Sequence, residues 1–513
     1  MSAGNYWRAL PIPQRSLATL GASRPPRPDG REQPGPQGPR QRPISGSSVL
    51  KSLCRSRRAL AVPLATPRAT SLAAPLATPL ATPLATVLID GNNFYASCEA
   101  LLDPAVAGRP LVVLSNNDGC IVSRSAEARA LGIPMGAPLF QVQPQLKRHG
   151  VIVRSSNYSL YGDMSQRLMT TLESWVEELE VYSIDEAFGL LHRPRSSDGA
   201  SADLTAWGLA LRQAVRQRLG LPVAVGIAPT KVLAKLANRL AKHSSALPQP
   251  GVFDLGAVAD PDPWLEAVAI EDVWGIGRRL SRWCRLRGIR HARQLRDMPS
   301  GELRLRCGVV GLRLQRELQG HSCLPLVALP AAKKETCVSR SFSTPITTAA
   351  ELRQAVATYL SRAAEKLRRQ RQCAGSLTVF VRSSPFNGRP FYSNAATITL
   401  PLASDDTAVL LAAALPLADR LFRPHHPLQK AGVLLQALQS TQALQHHLFT
   451  PLSPARQERR EALLATIDAL NARHGRGTIQ WAACGLQAPW AMRRSRLSRS
   501  ATTRLEEVPV VWT

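Results

Sequence analysis

The chain has 513 residues, 44% of them hydrophobic, and 64 Lys and Arg against 36 Asp and Glu give it a formal net charge of +28. Such a length predicts three or four domains, and such a charge favours nucleic acid as a partner. The alternative explanation of the charge is an arginine-rich composition. No apolar run reaches the 18 residues of a membrane span. Nine dispersed cysteines without a CxxC pair argue against a zinc site or disulfide framework and favour a reducing cytosol.

Residues 1–86 differ in composition from the rest of the chain. They hold 14 of the 40 prolines and 12 basic residues against 2 acidic ones, and Pro-Leu-Ala-Thr recurs at Pro75, Pro79 and Pro83. Because proline at this density prevents helices and central strands, we expect a disordered, PPII-like segment. Two alternatives are a functional basic arm and a start site assigned too early, since no Met lies between Met1 and Met135.

From residue 87 the pattern is that of a globular α/β or α+β sheet domain, because strand-like and helix-like segments alternate. Predicted strands lie at 87–90, 111–114, 151–154, 181–190 and 222–228. Predicted helices lie at 93–102, 124–131, 160–179, 203–219 and 230–243.

The second half of the globular sequence divides into three parts. Residues 253–322 are arginine-rich and helical, with a tight turn at Gly275-Ile276-Gly277. A β–α–β pattern follows, with strands predicted at 336–343, 375–382, 396–400 and 431–438 and a helix at 349–371. The tail is polar and basic and contains a predicted helix at 455–473.

Adjacent carboxylates stand inside an apolar run, at Asp185 and Glu186, and Asp90 ends another apolar strand. Adjacent buried acids cost desolvation and repel each other, which a divalent cation with oxygen ligands offsets. If adjacent strands carry the acids, two metals about 3.5–4 Å apart could bind, one activating a 3′-hydroxyl and one holding a triphosphate. Because neighbouring strand residues point to opposite faces, the strand has to bend or end at this pair. The alternative is a pair of acids that faces solvent on an edge strand.

Several segments, taken in order, resemble the Y family of translesion DNA polymerases and are most similar to its UmuC branch. They are residues 90–99, 115–120, 155–158, 182–186, 272–279, 337–342, 429–433 and 471–478. The resemblance extends over about 87 to 510, and no single short motif carries it.

The resemblance implies an α+β right-hand polymerase. Its parts would be a ferredoxin-like palm at 87–107 and 165–252, small fingers at 108–164, a helical thumb with a helix-hairpin-helix at 253–322, a β–α–β little finger at 335–440, and a clamp-binding peptide and UmuC-type tail at 441–513. Asp90, Asp185 and Glu186 match the family's catalytic and metal-binding acids, and the Gly91 carbonyl would be a further ligand of two Mg²⁺ ions.

The same resemblance implies nucleotide contacts. Tyr95 stands at the steric gate, where an aromatic ring against C2′ leaves no room for a 2′-hydroxyl; the alternative is a core aromatic, a role that fits Phe94 better. Arg129, Lys231 and Lys235 would contact the triphosphate, Lys235 being the better match of the two lysines. Ala126 departs from the tyrosine of many members, so that contact is missing or replaced.

DNA contacts are expected in two regions. The turn at Gly275 and Gly277 resembles a helix-hairpin-helix whose backbone N–H groups face a phosphate; the alternative is a plain glycine turn between two helices. Residues 270–320 add 12 Arg and no Lys against 5 acids. The side chains expected to bind DNA are Arg278, Arg279, Lys366, Arg368 and Arg369.

Gln445, Leu448 and Phe449 resemble a peptide that binds a sliding clamp. The resemblance as a whole implies an error-prone DNA-directed DNA polymerase that uses primer-template DNA and dNTPs in translesion synthesis. It further implies a UmuD-like subunit, the clamp and a recombinase filament as partners in the SOS response, in the bacterial cytoplasm at the nucleoid. The alternatives are a catalytically inactive, polymerase-like accessory that binds DNA, and a two-metal nuclease.

Overall fold

The computed structural model describes residues 84–193, 202–244, 247, 249–329, 331–443, 454–502 and 504–508. Most of the segment predicted to be disordered, residues 1–83, lies outside these ranges, and so does the predicted clamp peptide with Gln445, Leu448 and Phe449. None of the helices in the described part of the chain combines the length and the apolar character needed to span a bilayer.

The described strands and helices alternate along the first half of the chain. The strands are β1 (Leu84–Gly91), β2 (Leu111–Leu114), β3 (Ile121–Arg124), β4 (Ile152–Ser155), β5 (Glu178–Val181), β6 (Glu186–His192), β7 (Val223–Ala228), β8 (Val252–Asp254), β9 (Thr336–Ile346), β10 (Gln372–Ser383), β11 (Ser393–Ser404) and β12 (Leu428–Ser440). The α-helices are α1 (Phe94–Leu102), α2 (Ala126–Ala130), α3 (Leu139–Arg148), α4 (Tyr158–Glu173), α5 (Thr205–Leu219), α6 (Lys231–His243), α7 (Asp262–Glu266), α8 (Arg278–Arg285), α9 (Ala292–Asp297), α10 (Ser300–Leu318), α11 (Ala349–Arg369), α12 (Thr407–Leu421) and α13 (Pro454–His474).

A five-stranded sheet in the order β5-β6-β1-β7-β8 forms the centre of the first half. Strand β1 runs antiparallel to both β6 and β7, and β7 pairs with β8 in parallel. Alternate residues of β1 enter different cores: Leu88 packs with α6, whereas Val87 and Ile89 pack with α4 and α5. Gly226 lets α6 approach the sheet closely, because a Cβ there would lie 2.1 Å from the Asn238 backbone nitrogen.

Two further sheets and a helical segment complete the described fold. A small sheet in the order β3-β2-β4 carries α2 and α3 around a core that includes Leu114 and Ile133. The antiparallel sheet β11-β10-β12-β9 is covered by α11 and α12. The segment of α7 to α10 packs through Leu265, Leu295 and Leu303 into the core that α6 shares.

The predicted α+β class is confirmed, and most predicted strands and helices occur within a few residues of their expected limits. The strand predicted at 181–190 is confirmed only from Glu186 onward, where β6 begins, because residues 182–185 form the turn of a hairpin between β5 and β6. Strands β3, β5 and β8 and helices α3 and α12 were not predicted. Both helices contain an internal proline, Pro144 and Pro416, a residue that ordinarily argues against a helix.

Candidate active site

Two of the predicted acids are paired on adjacent strands of the central sheet. Asp90, near the end of β1, is the register partner of Glu186, the first residue of β6. Asp185 lies in the hairpin turn that precedes β6, and its carbonyl accepts a 2.8 Å hydrogen bond from the Gly91 N–H. Because Asp185 is in a turn, strand alternation does not force its side chain away from that of Glu186.

Ser183 fixes the turn that carries the acids. Its hydroxyl donates to Asp185 Oδ1 at 2.6 Å and accepts the backbone N–H of Glu186 at 3.1 Å. A side-chain hydroxyl that bonds the backbone a few residues ahead is typical of tight turns. The hairpin therefore presents Asp185 and Glu186 together at the end of β1.

The carboxylates lie in one another's electrostatic field. Burial raises the pKa of Asp90 to about 7, against the effect of the Lys242 ammonium, and the charges of Glu186 and Asp185 raise it further. Burial also raises the pKa of Asp185, opposed by the Ser183 hydrogen bond and reinforced by Glu186. A buried group of like charges is the environment in which a bound cation stabilises the ionised acids.

Two lysines from one face of α6 neutralise this group. Lys242 Nζ lies 2.6 Å from Asp90 Oδ1, and Lys235 Nζ lies 3.2 Å from Glu186 Oε2. The Lys235 ammonium also lies 4.6 Å from the centre of the Tyr182 ring. Lys242 was missed in the sequence analysis, although its spacing of seven residues from Lys235 places both on the same helical face.

Lys231, which was expected to contact the triphosphate, is not brought to the carboxylates in this structure. It is buried, and its ammonium pairs with Glu180 and donates to the Pro325 carbonyl at 2.9 Å. The ammonium also lies 5.2 Å from the centre of the Phe188 ring. Its surroundings assign Lys231 to the packing of α6 against the sheet.

The acids suit a hard divalent cation by their donor chemistry, because all their ligating atoms are oxygens. In the part of the chain that the structure describes, no three acidic, histidine or cysteine side chains converge into a ready-made ion site. Instead, the ammonium groups of Lys242 and Lys235 supply positive charge to Asp90 and Glu186. The site thus already balances the carboxylates with cationic groups, as a metal ion would.

Tyr95 lies beside the acids within a cluster of aromatic rings. Its ring stacks on Tyr161 at 4.3 Å between centroids and meets Tyr158 edge to face at 6.4 Å. Burial raises the pKa of Tyr95 to about 12, with further contributions from Tyr158 and Asp185. As predicted, Phe94 is the core residue, with 3% of its surface exposed, whereas Tyr95 is partly exposed.

Arg129 approaches the same edge from the small sheet. It is exposed in α2, and its Nη2 donates to Asn93 Oδ1 at 3.3 Å. The pKa of His243 is lowered mainly by burial, and the charge of Arg129 lowers it further. Ala126 opens α2 without a polar side chain. The exposed guanidinium is therefore available to an anion near the carboxylates.

The predicted glycine turn precedes α8 and has exposed cations after it. Gly275 has φ of +95°, a conformation that favours glycine, and Gly277 caps α8. Arg278 and Arg279 are exposed in the first turn of that helix. The element before the turn is a 3₁₀ turn at Ile270–Asp272 rather than a second full helix.

The cations of α11 have different surroundings. Burial lowers the pKa of Lys366 to about 8, and the neighbouring charges of Arg362 and Arg340 lower it further. Arg369 pairs with Glu365.

Arg368, by contrast, is held by both carboxylate oxygens of Asp468 at 2.7 and 2.9 Å. Its side chain is only 14% exposed, and it also donates to the Asp405 carbonyl at 2.8 Å. Arg368 was expected to bind DNA, whereas in this structure it joins α11 to the tail helix α13.

Comparisons with known proteins agree with this fold. Sequence models of the impB/mucB/samB family and of its C-terminal domain match residues 89–239 and 333–448, and a domain of unknown function matches 461–511. The protein UmuC of Salmonella typhimurium LT2 is 43% identical over 82% of this chain and 98% of its own. DNA polymerase IV of Corynebacterium diphtheriae is 29% identical over 71% of this chain and 77% of its own. A solved Y-family DNA polymerase chimera has a TM-score of 0.52 at 22% identity, covering 69% of this chain and 99% of that one.

The fold is that of a Y-family DNA polymerase. Within that class, the chain belongs to the impB/mucB/samB family, in which its relatives include UmuC. The prediction of an error-prone, DNA-directed DNA polymerase of translesion synthesis in the SOS response is confirmed. The enzyme binds DNA as its substrate and, like its relatives, uses a divalent metal.

Proposed function

We propose that Asp90, Asp185 and Glu186 form the centre at which this polymerase adds a dNTP to a primer. The observation that supports it is the pairing of Asp90 with Glu186 across β1 and β6, with Asp185 in the adjoining turn. In the reaction the primer 3′-oxygen loses its proton and bonds to the α-phosphorus. The bond from that phosphorus to the oxygen leading to the β-phosphate breaks, and pyrophosphate leaves.

Two Mg²⁺ ions are the proposed cofactors, held by the three carboxylates and the Gly91 carbonyl. When bound, such ions activate the attacking hydroxyl and neutralise the triphosphate. Lys242 balances the charge of Asp90 in the metal-free protein. The triphosphate oxygens are bound by Lys235 and Arg129. Lys235 is hydrogen-bonded to Glu186, and Arg129 is exposed and hydrogen-bonded to Asn93.

Tyr95 selects the sugar in this proposal. Its ring lies against C2′ of the incoming nucleotide and is supported from behind by Tyr161, on which it stacks at 4.3 Å. A 2′-hydroxyl would clash with the ring, so deoxyribonucleotides are preferred. Tyr95→Ala is expected to raise ribonucleotide incorporation, and unchanged sugar discrimination would contradict this role.

The proposed domains keep their predicted limits. The palm comprises 87–107 and 165–252, the fingers 108–164, the thumb 253–322 and the little finger 335–440. The thumb grips the DNA backbone through N–H groups at Gly275 and Gly277 and through Arg278 and Arg279, and the little finger contributes Lys366 and Arg369. Contacts with phosphates predict salt-sensitive binding, with log K falling by about 0.7–0.9 per phosphate neutralised for each tenfold rise in salt.

The proposed partners follow from the similarity to UmuC: a UmuD-like subunit, a sliding clamp and a recombinase filament, at the nucleoid in the cytoplasm. Gln445, Leu448 and Phe449 are proposed to enter the clamp. Replacing Leu448 and Phe449 with alanine should abolish clamp binding, whereas His446→Ala, within the same peptide, should leave it unchanged. Clamp binding that survives the double replacement would refute this assignment.

Incorporation of a labelled dNTP into a primer tests the proposed chemistry against its alternatives. The wild-type chain, assembled with a UmuD-like subunit and a clamp, should lengthen the primer in a dNTP-dependent reaction. Asp185→Ala combined with Glu186→Ala should not lengthen it, while still binding DNA. A shortened primer would indicate a nuclease, and equal extension by wild type and variant would exclude the assigned catalytic role.

A further inference from the structure

The segment Pro489–Arg499 crosses from one domain to another, and its first end is anchored in the four-stranded sheet. Trp490 is 4% exposed and meets the rings of Phe342 at 5.9 Å and Tyr359 at 5.8 Å. The Trp490 carbonyl accepts the backbone N–H of Ser343 at 3.2 Å. A buried tryptophan held by two aromatic contacts is a firm attachment point.

The other end of this segment is anchored on the small sheet. The Asp118 carboxylate accepts the backbone N–H of Ser495 at 3.1 Å and its hydroxyl at 2.8 Å. Ser155, fully buried, donates its N–H to the Arg496 carbonyl at 2.8 Å and accepts the Arg496 N–H at 2.9 Å through its hydroxyl. The segment therefore joins the proposed little finger to the proposed fingers, and we refer to residues 489–499 as the strap.

The last residues of the strap reach a buried carboxylate behind the aromatic cluster. The Ser498 hydroxyl donates to Glu99 Oε1 at 3.0 Å and accepts a 3.1 Å hydrogen bond from Asn157 Nδ2. The same Glu99 oxygen accepts the Tyr161 hydroxyl at 2.6 Å. Glu99 is 2% exposed, so its oxygens depend on these protein donors rather than on bulk water.

This chain of contacts ends at the proposed sugar gate. Tyr161 is fully buried, and its ring stacks on that of Tyr95 with an angle of 13° between the planes. A ring whose hydroxyl is hydrogen-bonded to a fixed acceptor cannot tilt freely. Its position in turn limits where the ring stacked upon it can lie.

We propose that the strap positions the sugar gate: Ser498 orients Glu99, Glu99 holds the hydroxyl of Tyr161, and Tyr161 supports the ring of Tyr95. Ser498, Glu99 and Tyr161 are positioning residues, and the C-terminal segment of the polymerase is thereby a determinant of sugar selection. The proposal rests on the proposed role of Tyr95. It gives a physical role to the part of the tail that follows helix α13 and matches a domain of unknown function.

Loss of one hydrogen bond in this series of contacts should measurably relax discrimination against ribonucleotides without removing the gate. A hydrogen bond to a buried side-chain acceptor contributes about 1 kcal/mol, which corresponds to about a fivefold change in a rate ratio. We therefore expect Ser498→Ala and Tyr161→Phe to raise the relative efficiency of ribonucleotide incorporation about fivefold. The kcat/KM for deoxyribonucleotides should stay within about twofold of wild type.

The test is single-nucleotide incorporation by the full-length chain with the partners that support its activity. Measuring kcat and KM separately for a dNTP and the matching ribonucleotide gives the discrimination ratio. Glu99→Gln retains an acceptor oxygen and should discriminate nearly as wild type does. Thr478→Ala is the matched tail control, because its hydroxyl donates to the nearby Gly475 carbonyl at 2.8 Å, away from Glu99.

Tyr95→Ala in the same assay separates the strap proposal from the proposed role of Tyr95 as the sugar gate. If Tyr95→Ala relaxes discrimination but Ser498→Ala and Tyr161→Phe do not, the strap proposal is overturned and the gate stands. If Tyr95→Ala changes nothing, both are overturned. If the Ser498 and Tyr161 variants lose kcat/KM equally for both nucleotides, with or without a lower Tm, these residues have a general structural role. That result would also overturn the proposal.

Discussion

Replacing Asp90 with asparagine is expected to stabilise the metal-free enzyme at alkaline pH while abolishing nucleotide addition. The pKa of Asp90 is about 7 in the folded protein against an ordinary value of 3.8, mainly because the carboxyl is buried. Between these two values the folded chain holds a proton that the unfolded chain has released. The stability that this proton contributes is complete below pH 4, falls as the pH rises, and is lost above pH 7.

The size of the effect follows from the two pKa values. At about 1.4 kcal/mol per pH unit, the difference sets an upper limit of about 4 kcal/mol. Lys242, 2.6 Å from Asp90 Oδ1, loses its partner in the variant, which costs about 1–3 kcal/mol. The net gain is therefore about 1–3 kcal/mol at pH 8.5, a rise of several degrees in Tm.

Thermal unfolding in EDTA at pH 5 and pH 8.5 measures this effect. The gain of Asp90→Asn over wild type should be larger at pH 8.5, and Mg²⁺ at that pH should raise the Tm of wild type but not of the variant. Asp163→Asn, which removes an acid paired with Arg167 on a helix surface, is the matched control and should show no such gain. An equal shift of Tm at both pH values, or a loss at pH 8.5, would refute the reasoning.

Three further predictions concern charged side chains and their partners. In steady-state kinetics, Lys235→Ala should raise the KM for dNTPs at least tenfold, because it loses a charge-assisted contact to phosphate. Lys231→Met should show a nearly unchanged KM in the same measurement. Lys231→Met should instead lower Tm, since it leaves Glu180 without its buried ammonium partner. Asp254→Asn should cost about 3–5 kcal/mol in urea unfolding, because Arg193, 5% exposed and held at 2.7 Å, then remains as a buried charge. A Lys231 variant with raised KM and normal Tm, or an Asp254 variant as stable as wild type, would contradict these assignments.

The strands of the central sheet were predictable because their short apolar runs leave little alternative to a buried strand. Val87, Leu88 and Ile89 form an apolar run in which successive side chains enter cores on opposite faces. The hairpin between β5 and β6 was not predictable from periodicity, because its turn is made by Ser183 bonding the backbone rather than by a glycine or proline. Helix α12, rich in leucine and alanine but interrupted by Pro416, has no clear polar face to reveal it.

The acids of the site could be named from the sequence, but their cationic neighbours could not be sorted. Lys231, Lys235 and Lys242 lie on related turns of α6, and only the fold shows that the first pairs with Glu180 and the others with the carboxylates. Arg368 could not be told apart from the other cations of α11, because its partner, Asp468, is 100 residues away. The strap was equally hidden, since serine and asparagine side chains that bond across domains follow no periodic pattern.

Extension of a primer across an abasic template is the most direct test of the central claim that the paired carboxylates catalyse translesion synthesis. Wild type should be compared with Asp185→Asn combined with Glu186→Gln, which keeps the shape of both side chains and removes their charge. With dNTPs, Mg²⁺ and the UmuD-like and clamp partners, wild type should extend the primer past the lesion. The variant should bind the same DNA without extending it. Equal bypass by the variant would contradict the account.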